Sequence, residues 1–171
     1  MKLVIRSGGQ TGADRAALDY AVRFSHPYLG WCPQGGRAED YSTPPGLLAV
    51  YPKLTETPSS DSKQRTAWNV RDSHATLILV RANELSQSLG TVFTKTIAEL
   101  VFVRPCLVVD MLDETAHQAA KRWLMNLANA FGRQEIILNI AGPRETNAPG
   151  IYESALSFLK ILVKAVEGEV K

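Results

Sequence analysis

At 171 residues, 45% hydrophobic and 21% charged, the chain is long enough to bury one sizeable core and too short for two domains, so a single domain over residues 1–171 is expected. Nineteen basic against seventeen acidic residues leave a net charge of +2 with no block of like charge, which argues against nucleic-acid and anionic-membrane surfaces. The two cysteines, Cys32 and Cys106, are too few for a disulfide framework; with no cleavable signal and no apolar run fit to span a bilayer, a cytoplasmic protein with reduced thiols is expected.

In chain order, the apolar run Leu3, Val4, Ile5 reads as a strand and leads into Ser7-Gly8-Gly9-Gln10-Thr11-Gly12-Ala13-Asp14-Arg15. Beyond it Ala13, Ala16, Ala17, Tyr20, Ala21 and Phe24 recur at helical spacing until Pro27. A short strand is expected at Tyr28 to Cys32. Residues 33 to 60 carry Pro33, Gly35, Gly36, Pro44, Pro45, Gly46, Pro52 and Pro58, a density of breakers that excludes a long regular element and marks a functional or mobile connection. A polar helix is expected from about Ser60 to Asp72, a buried strand at Thr76 to Val80, a helix from about Leu89 to Val103 and a strand at Cys106 to Val109. Asp113 can cap the next helix, which ends at Gly132; Ile136 to Ile140 forms a last strand, and Pro149 opens a last helix.

Strands alternating with helices imply a mostly parallel open sheet covered on both faces, of about five strands, with order 2-1-3-4-5. In such a sheet ligands bind beyond the carboxyl ends of the strands, where the order reverses. The segments SGGQTG, CPQGGR, Ser88-Leu89-Gly90-Thr91 and Gly142-Pro143-Arg144-Glu145 all follow strands or precede helices at that edge. The turns through Gly8, Gly9, Gln10, Thr11 and Gly12 and through Gly90 and Thr91 then flank the switch point. Glycines let backbone N–H groups approach an anion, a helix start leaves such groups unpaired, and Thr11 and Thr91 add hydroxyls. A tight turn that only packs is the alternative for either turn alone. The spacing is neither GxGxxG nor GxxxxGK[ST], so neither a dinucleotide oxidoreductase nor a nucleoside triphosphatase is inferred.

Asp14 either complements the helix dipole or binds a ribose hydroxyl, an amino group or a cation. Arg65, Asn69 and Asp72 share one helix face by their spacing and are candidates to contact a ligand, against a merely solvated face. Arg37, beside Glu39 and Asp40, has the same two readings. Cys32 is a candidate site residue by position, although between Trp31 and Pro33 a buried thiol is the commoner role. His26, His74 and His117 are scattered and give no metal-ligand spacing, so no metal site is expected.

The blocks SGGQTGADRAALD, GWCPQGGRAED, YPKLTETPSSDSKQRTAWNVRDSHATLIL and LNIAGPRETNAPGIYE span nearly the whole chain. They resemble the signature blocks of the putative molybdenum carrier family, a Rossmann-like group similar to the phosphoribohydrolase and nucleotide-sensing superfamily. The resemblance implies a three-layer α/β Rossmann-like sheet and a phosphate-bearing ligand, with molybdenum cofactor or a nucleotide as candidate cargo; a homo-oligomer is a separate expectation that the sequence does not fix. The phosphoribohydrolase relatives carry a PGGxGTxxE turn whose glutamate is catalytic, whereas this chain reads Gln87-Ser88-Leu89-Gly90-Thr91-Val92-Phe93-Thr94. Thr94 stands at the glutamate position and cannot do a carboxylate's acid/base work, and Glu99 points off that face. A binding or carrier protein is therefore expected ahead of two alternatives, a nucleotide or nucleoside hydrolase using Asp14 or Asp72 and a ligand-regulated interaction module.

Overall fold

A computed structural model describes residues 1–82 and 84–168. Strand β1 (Lys2–Arg6) leads into α1 (Ala13–Arg23) and β2 (Tyr28–Cys32). The breaker-rich connection holds a short 3-10 turn (Gln34–Gly36), the single-turn α2 (Leu47–Val50) and a strand the sequence did not announce, β3 (Leu54–Glu56). Then come α3 (Ser62–Arg71), β4 (Ala75–Val80), the single-turn α4 (Glu84–Gln87) and α5 (Leu89–Thr96), which continues as a π-helical turn over Ile97–Val101. The chain finishes with β5 (Cys106–Asp110), α6 (Ala116–Phe131), β6 (Glu135–Ala141) and α7 (Ile151–Glu167). Thr115, not Asp113, is the N-cap of α6; the Asp113 carboxylate instead braces the approach by accepting from the Thr115 N–H at 2.7 Å.

All strands pair in parallel, in the order β3-β2-β1-β6-β4-β5. This corrects the expected order: the last strand lies at the centre, with Leu3 opposite Ile136 on one side and Thr76 opposite Asn139 on the other. Its residues Ile136, Leu138 and Ile140 are almost fully buried, as a strand flanked on both sides and roofed by helices must be. The end of α7 lies against the start of β1, where the Leu3 N–H donates to Glu167 Oε1 at 2.7 Å. Counted from β6, the strands β1, β2 and β3 wind outward to one side and β4 and β5 to the other, a doubly wound plan with β6 at the point of reversal.

The two faces of the sheet differ. Helices α1, α6 and α7 pack on one face over the main core, which joins Leu3, Ile5, Leu77, Leu79 and Leu138 to Leu124, Leu156 and Leu159. On the other face α3 and α5 share only a small apolar cluster of Val70, Ile97 and Ala98. The sheet beneath them adds Val4, Ile78 and Val80 and, among them, buried polar groups: Arg6, Thr76 and Asn139, whose amide donates to Thr76 Oγ1 at 3.3 Å. This face therefore mixes apolar packing with several buried polar groups, unlike the all-apolar main core. No helix among the described residues is long and apolar enough to cross a membrane.

Candidate functional site

At the carboxyl end of β6, between α3, the N-terminus of α5 and the loop after β6, lies an open cleft of about 430 Å³. Gln10 and Asp14 reach it from the glycine turn, Lys63, Arg65, Thr66 and Asn69 from α3, Ser88 to Thr91 and Thr94 from the α5 side, and Asn139, Gly142, Arg144 and Asn147 from β6 and its loop. Among the described lining residues the cations Lys63, Arg65 and Arg144 face one carboxylate, Asp14. Such a rim favours an anion.

The glycine turn does not form the open anion cradle that its composition suggests. The Arg65 guanidinium lies against the Cα of Gly8; a Cβ there would overlap Nη1 and come within 2.8 Å of Cζ. Gly12, at φ 81°, is closed over by the backbone of Pro143, Arg144 and Glu145, and the Ala13 N–H donates to the Pro143 carbonyl at 3.3 Å. Gly9 faces Leu47 and Leu18, and its carbonyl accepts Arg15 Nε and Nη2 at 3.1 and 2.9 Å while Asp40 holds the other edge of that guanidinium. Thr11 donates its hydroxyl to Glu39, as Thr146 does, and these two bonds hold the Glu39 carboxyl below the usual carboxylate range. Of this turn only Gln10 lines the cleft, and its amide oxygen is engaged by the Thr11 and Glu39 N–H groups at 3.0 and 2.9 Å. Gly8, Gly9, Thr11 and Gly12 thus shape the wall behind the cleft. The turn is bare because a guanidinium and another loop's backbone press against it.

The internal anion of the site is Asp14. It sits in the first turn of α1 and accepts Arg65 Nη1 at 2.9 Å. Burial pushes its carboxyl above the ordinary range, while Arg65 and the N–H groups of Gly142 and Gln10 pull it back. Arg65 Nε is buried with no partner, so the guanidinium keeps donor capacity beyond this pair.

The three polar residues of α3 face the sheet together, but they do not converge on one ligand. The Asn69 amide accepts the Trp31 N–H at 2.9 Å and donates to the Trp31 carbonyl at 2.9 Å. β1 pairs with β2 only as far as Leu29, and Asn69 stands in for the missing strand neighbour beyond it. Asp72 lies outside the cleft lining; its oxygens take Arg71 Nε at 2.6 Å and Trp31 Nε1 at 2.7 Å, and Arg71 chiefly holds its carboxyl low. Cys32 is likewise outside the lining and fully buried, its thiol pushed up to about 11 by burial, so it supplies no thiolate. Arg37 is exposed and also outside the lining.

On the opposite wall, Gly90 opens to free space at the start of α5. The hydroxyls around it are turned inward, Thr91 donating to Ser88 Oγ at 2.8 Å and Thr94 to the Gly90 carbonyl at 2.8 Å. The Thr91 and Val92 N–H groups bond the Ser88 carbonyl at 3.0 and 2.9 Å, so what this wall offers a guest is the N–H groups of Leu89 and Gly90. Lys63, Thr66, Asn139 and Asn147 were not singled out in the sequence. Only Asn139 carried a signal, a lone amide inside the run EIILNIA.

A doubly wound, three-layer α/β domain with a polar, cation-rimmed cleft at its strand reversal belongs to the class of Rossmann-like folds. Within that class, this chain belongs to the circularly permutated YpsA SLOG family, which it matches over residues 5–163. It is also similar to a crystal structure from Syntrophus aciditrophicus SB described as a putative molybdenum carrier protein, at 37% identity and a TM-score of 0.76, covering 95% of each chain. The family resemblance drawn from the four sequence blocks therefore stands. No functionally curated protein matches the chain at a significant level.

Proposed function

We propose that this protein binds a small phosphate-bearing ligand, nucleotide-like or pterin-type, in the cleft at the end of β6. The observation that carries the reading is the rim of Lys63, Arg65 and Arg144 around one already paired carboxylate, facing the Leu89 and Gly90 N–H groups at the start of α5. A phosphate would sit between that helix start and Arg65, and the amides of Asn139 and Asn147 would meet the polar edges of a ring system. The similar structure's description as a putative molybdenum carrier makes molybdenum cofactor one candidate cargo. Among the described residues no cluster of three or more His, Cys, Asp or Glu side chains could hold a metal ion. Molybdenum would therefore arrive held by its organic part, and the protein would grip the phosphate and the pterin.

The hydrolase alternative now rests on Asp14, since Asp72 lies outside the cleft and Thr94 lends its hydroxyl to the Gly90 carbonyl. Calorimetric titration with 5′-mononucleotides and with whatever ligand co-purifies tests the binding reading. Lys63 and Arg144 are exposed, and alanine keeps their backbone contacts, so Lys63→Ala and Arg144→Ala should leave the melting temperature nearly unchanged. Each should weaken binding by roughly tenfold, the worth of a charge-assisted hydrogen bond of about 1.5 kcal/mol. If both variants bind as tightly as the parent, the ligand sits elsewhere; if base is released at a steady rate and Asp14→Asn stops it, the protein is a hydrolase.

A further inference from the structure

The cleft holds a carboxylate that a simple anion site has no need of. Asp14 is 6% exposed at its side chain and Arg65 is 12% exposed, with 2.9 Å between Oδ2 and Nη1. The charged groups facing this carboxylate across the cleft are Lys63 and Arg65 from α3 and Arg144 from the loop after β6, while α5 contributes only neutral groups. Arg65 alone touches it. The same arginine is the most deeply set cation lining the cleft, so the group that would receive a ligand's anion is the group that neutralises Asp14.

We propose that an anion bound at Arg65 drives a proton from solvent onto Asp14, so that the site takes up its ligand and a proton together. The inference rests on the phosphate-binding reading given above. Lys63 and Arg144 are exposed and do not touch Asp14, so a bound anion shares Arg65 with the buried carboxylate and leaves it less fully compensated. The added negative charge raises the proton affinity of the carboxylate, as it does for paired acids sharing a site. Burial already disfavours the charged form of Asp14, and Arg65 is the principal influence holding it ionised. Once protonated, the carboxyl becomes a hydrogen-bond donor at the floor of the cleft, which suits an anion where a carboxylate would repel it. Ligand affinity then falls as pH rises, by up to about tenfold per pH unit where one proton is coupled.

Sulfate is a suitable probe because it has no proton of its own to exchange near neutrality. Titrating it calorimetrically in buffers of different ionisation enthalpy counts the protons taken up. The expected result is net proton uptake on sulfate binding for the parent and essentially none for Asp14→Asn, which should also bind more tightly and lose the pH dependence. Sulfate binding with no proton exchange, or with the same pH slope in Asp14→Asn, overturns the inference and leaves the binding reading intact. If neither sulfate nor a mononucleotide binds, the reading itself fails and the inference with it.

A ligand-free arm uses Arg65→Gln, which removes the cation. Asp14 then has a folded-state proton affinity well above its unfolded one, so its contribution to stability is present at low pH and lost as pH rises. The melting temperature of Arg65→Gln should be highest near about pH 5 and fall toward about pH 8, and Asp14→Asn placed on top of it should remove the slope. A flat profile in Arg65→Gln overturns the inference.

Discussion

Replacing Gly12 by alanine should damage the fold, although the position reads in the sequence as part of an anion loop. Gly12 has φ 81° and ψ −134°, a combination that side-chain-bearing residues essentially never adopt, and forcing one there costs about 1–3 kcal/mol. The new Cβ would also overlap the Pro143 carbonyl oxygen and lie 2.8 Å from the Glu145 nitrogen and 2.9 Å from the Arg144 carbonyl carbon. That backbone has little freedom to retreat. The Asn147 and Ala148 N–H groups bond the Arg144 carbonyl, and the Glu145 carboxylate caps α7 by accepting the N–H groups of Gly150 and Tyr152. Overpacking of this kind costs a further 1–3 kcal/mol or so, giving a loss of about 4 kcal/mol in all. For a domain of this size each kcal/mol lowers the melting temperature by about 2–4 °C, so a drop of about 12 °C is expected. Gly90→Ala is the control, because a Cβ there meets nothing within 4 Å and alanine suits a helix better than glycine. Differential scanning calorimetry without ligand reads both. A Gly12→Ala protein melting within about 2 °C of the parent would refute the packing of this turn against the loop after β6.

Asn69→Ala should destabilise the ligand-free protein by about 2–4 kcal/mol in urea unfolding, because it strands the Trp31 N–H and carbonyl that the amide now satisfies; unchanged stability would mean that Asn69 is free to serve a ligand instead. Cys32, fully buried and with its thiol pushed up to about 11, should resist a disulfide-exchange reagent at pH near 8 in the native state and react once denaturant is added. Rapid native labelling at Cys32 would contradict its burial.

The alternation of strand and helix and the approximate extents of α1, α3, α6 and α7 were legible because each rests on local periodicity and breakers. The position of β6 was not. A continuous apolar run such as EIILNIA says that both faces of a strand are covered, yet it does not say which strands lie beside it. β3 escaped notice for a different reason: three residues inside a stretch of prolines and glycines carry no period. At the site, spacing correctly aligned Arg65, Asn69 and Asp72 on the sheet-facing side of α3 but could not distinguish a residue aimed at a ligand from one aimed at the neighbouring strand. That choice depends on where β1 stops pairing with β2, which is a property of two strands and a turn together. The glycines of the first turn were misread in the same way. Their bareness is real, and its cause lies in residues more than fifty and more than a hundred positions away, Arg65 and Pro143.

The late arrival of β6 also governs how the chain comes together during synthesis. A ribosome delivers β1, β2 and β3 with their helices first, then β4 and β5, and the strand that joins the two groups is the last of the sheet to emerge. Until it does, β1 and β4 each present an open ladder of backbone donors and acceptors, bordered by side chains as apolar as Ile5 and Leu77, the kind of edge that recruits other chains. No nascent fragment ending before Glu135 contains either of the two pairings that hold the halves together. The floor of the cleft is made of that same strand, through Asn139 and Ala141, so a half-made chain has no cleft at all.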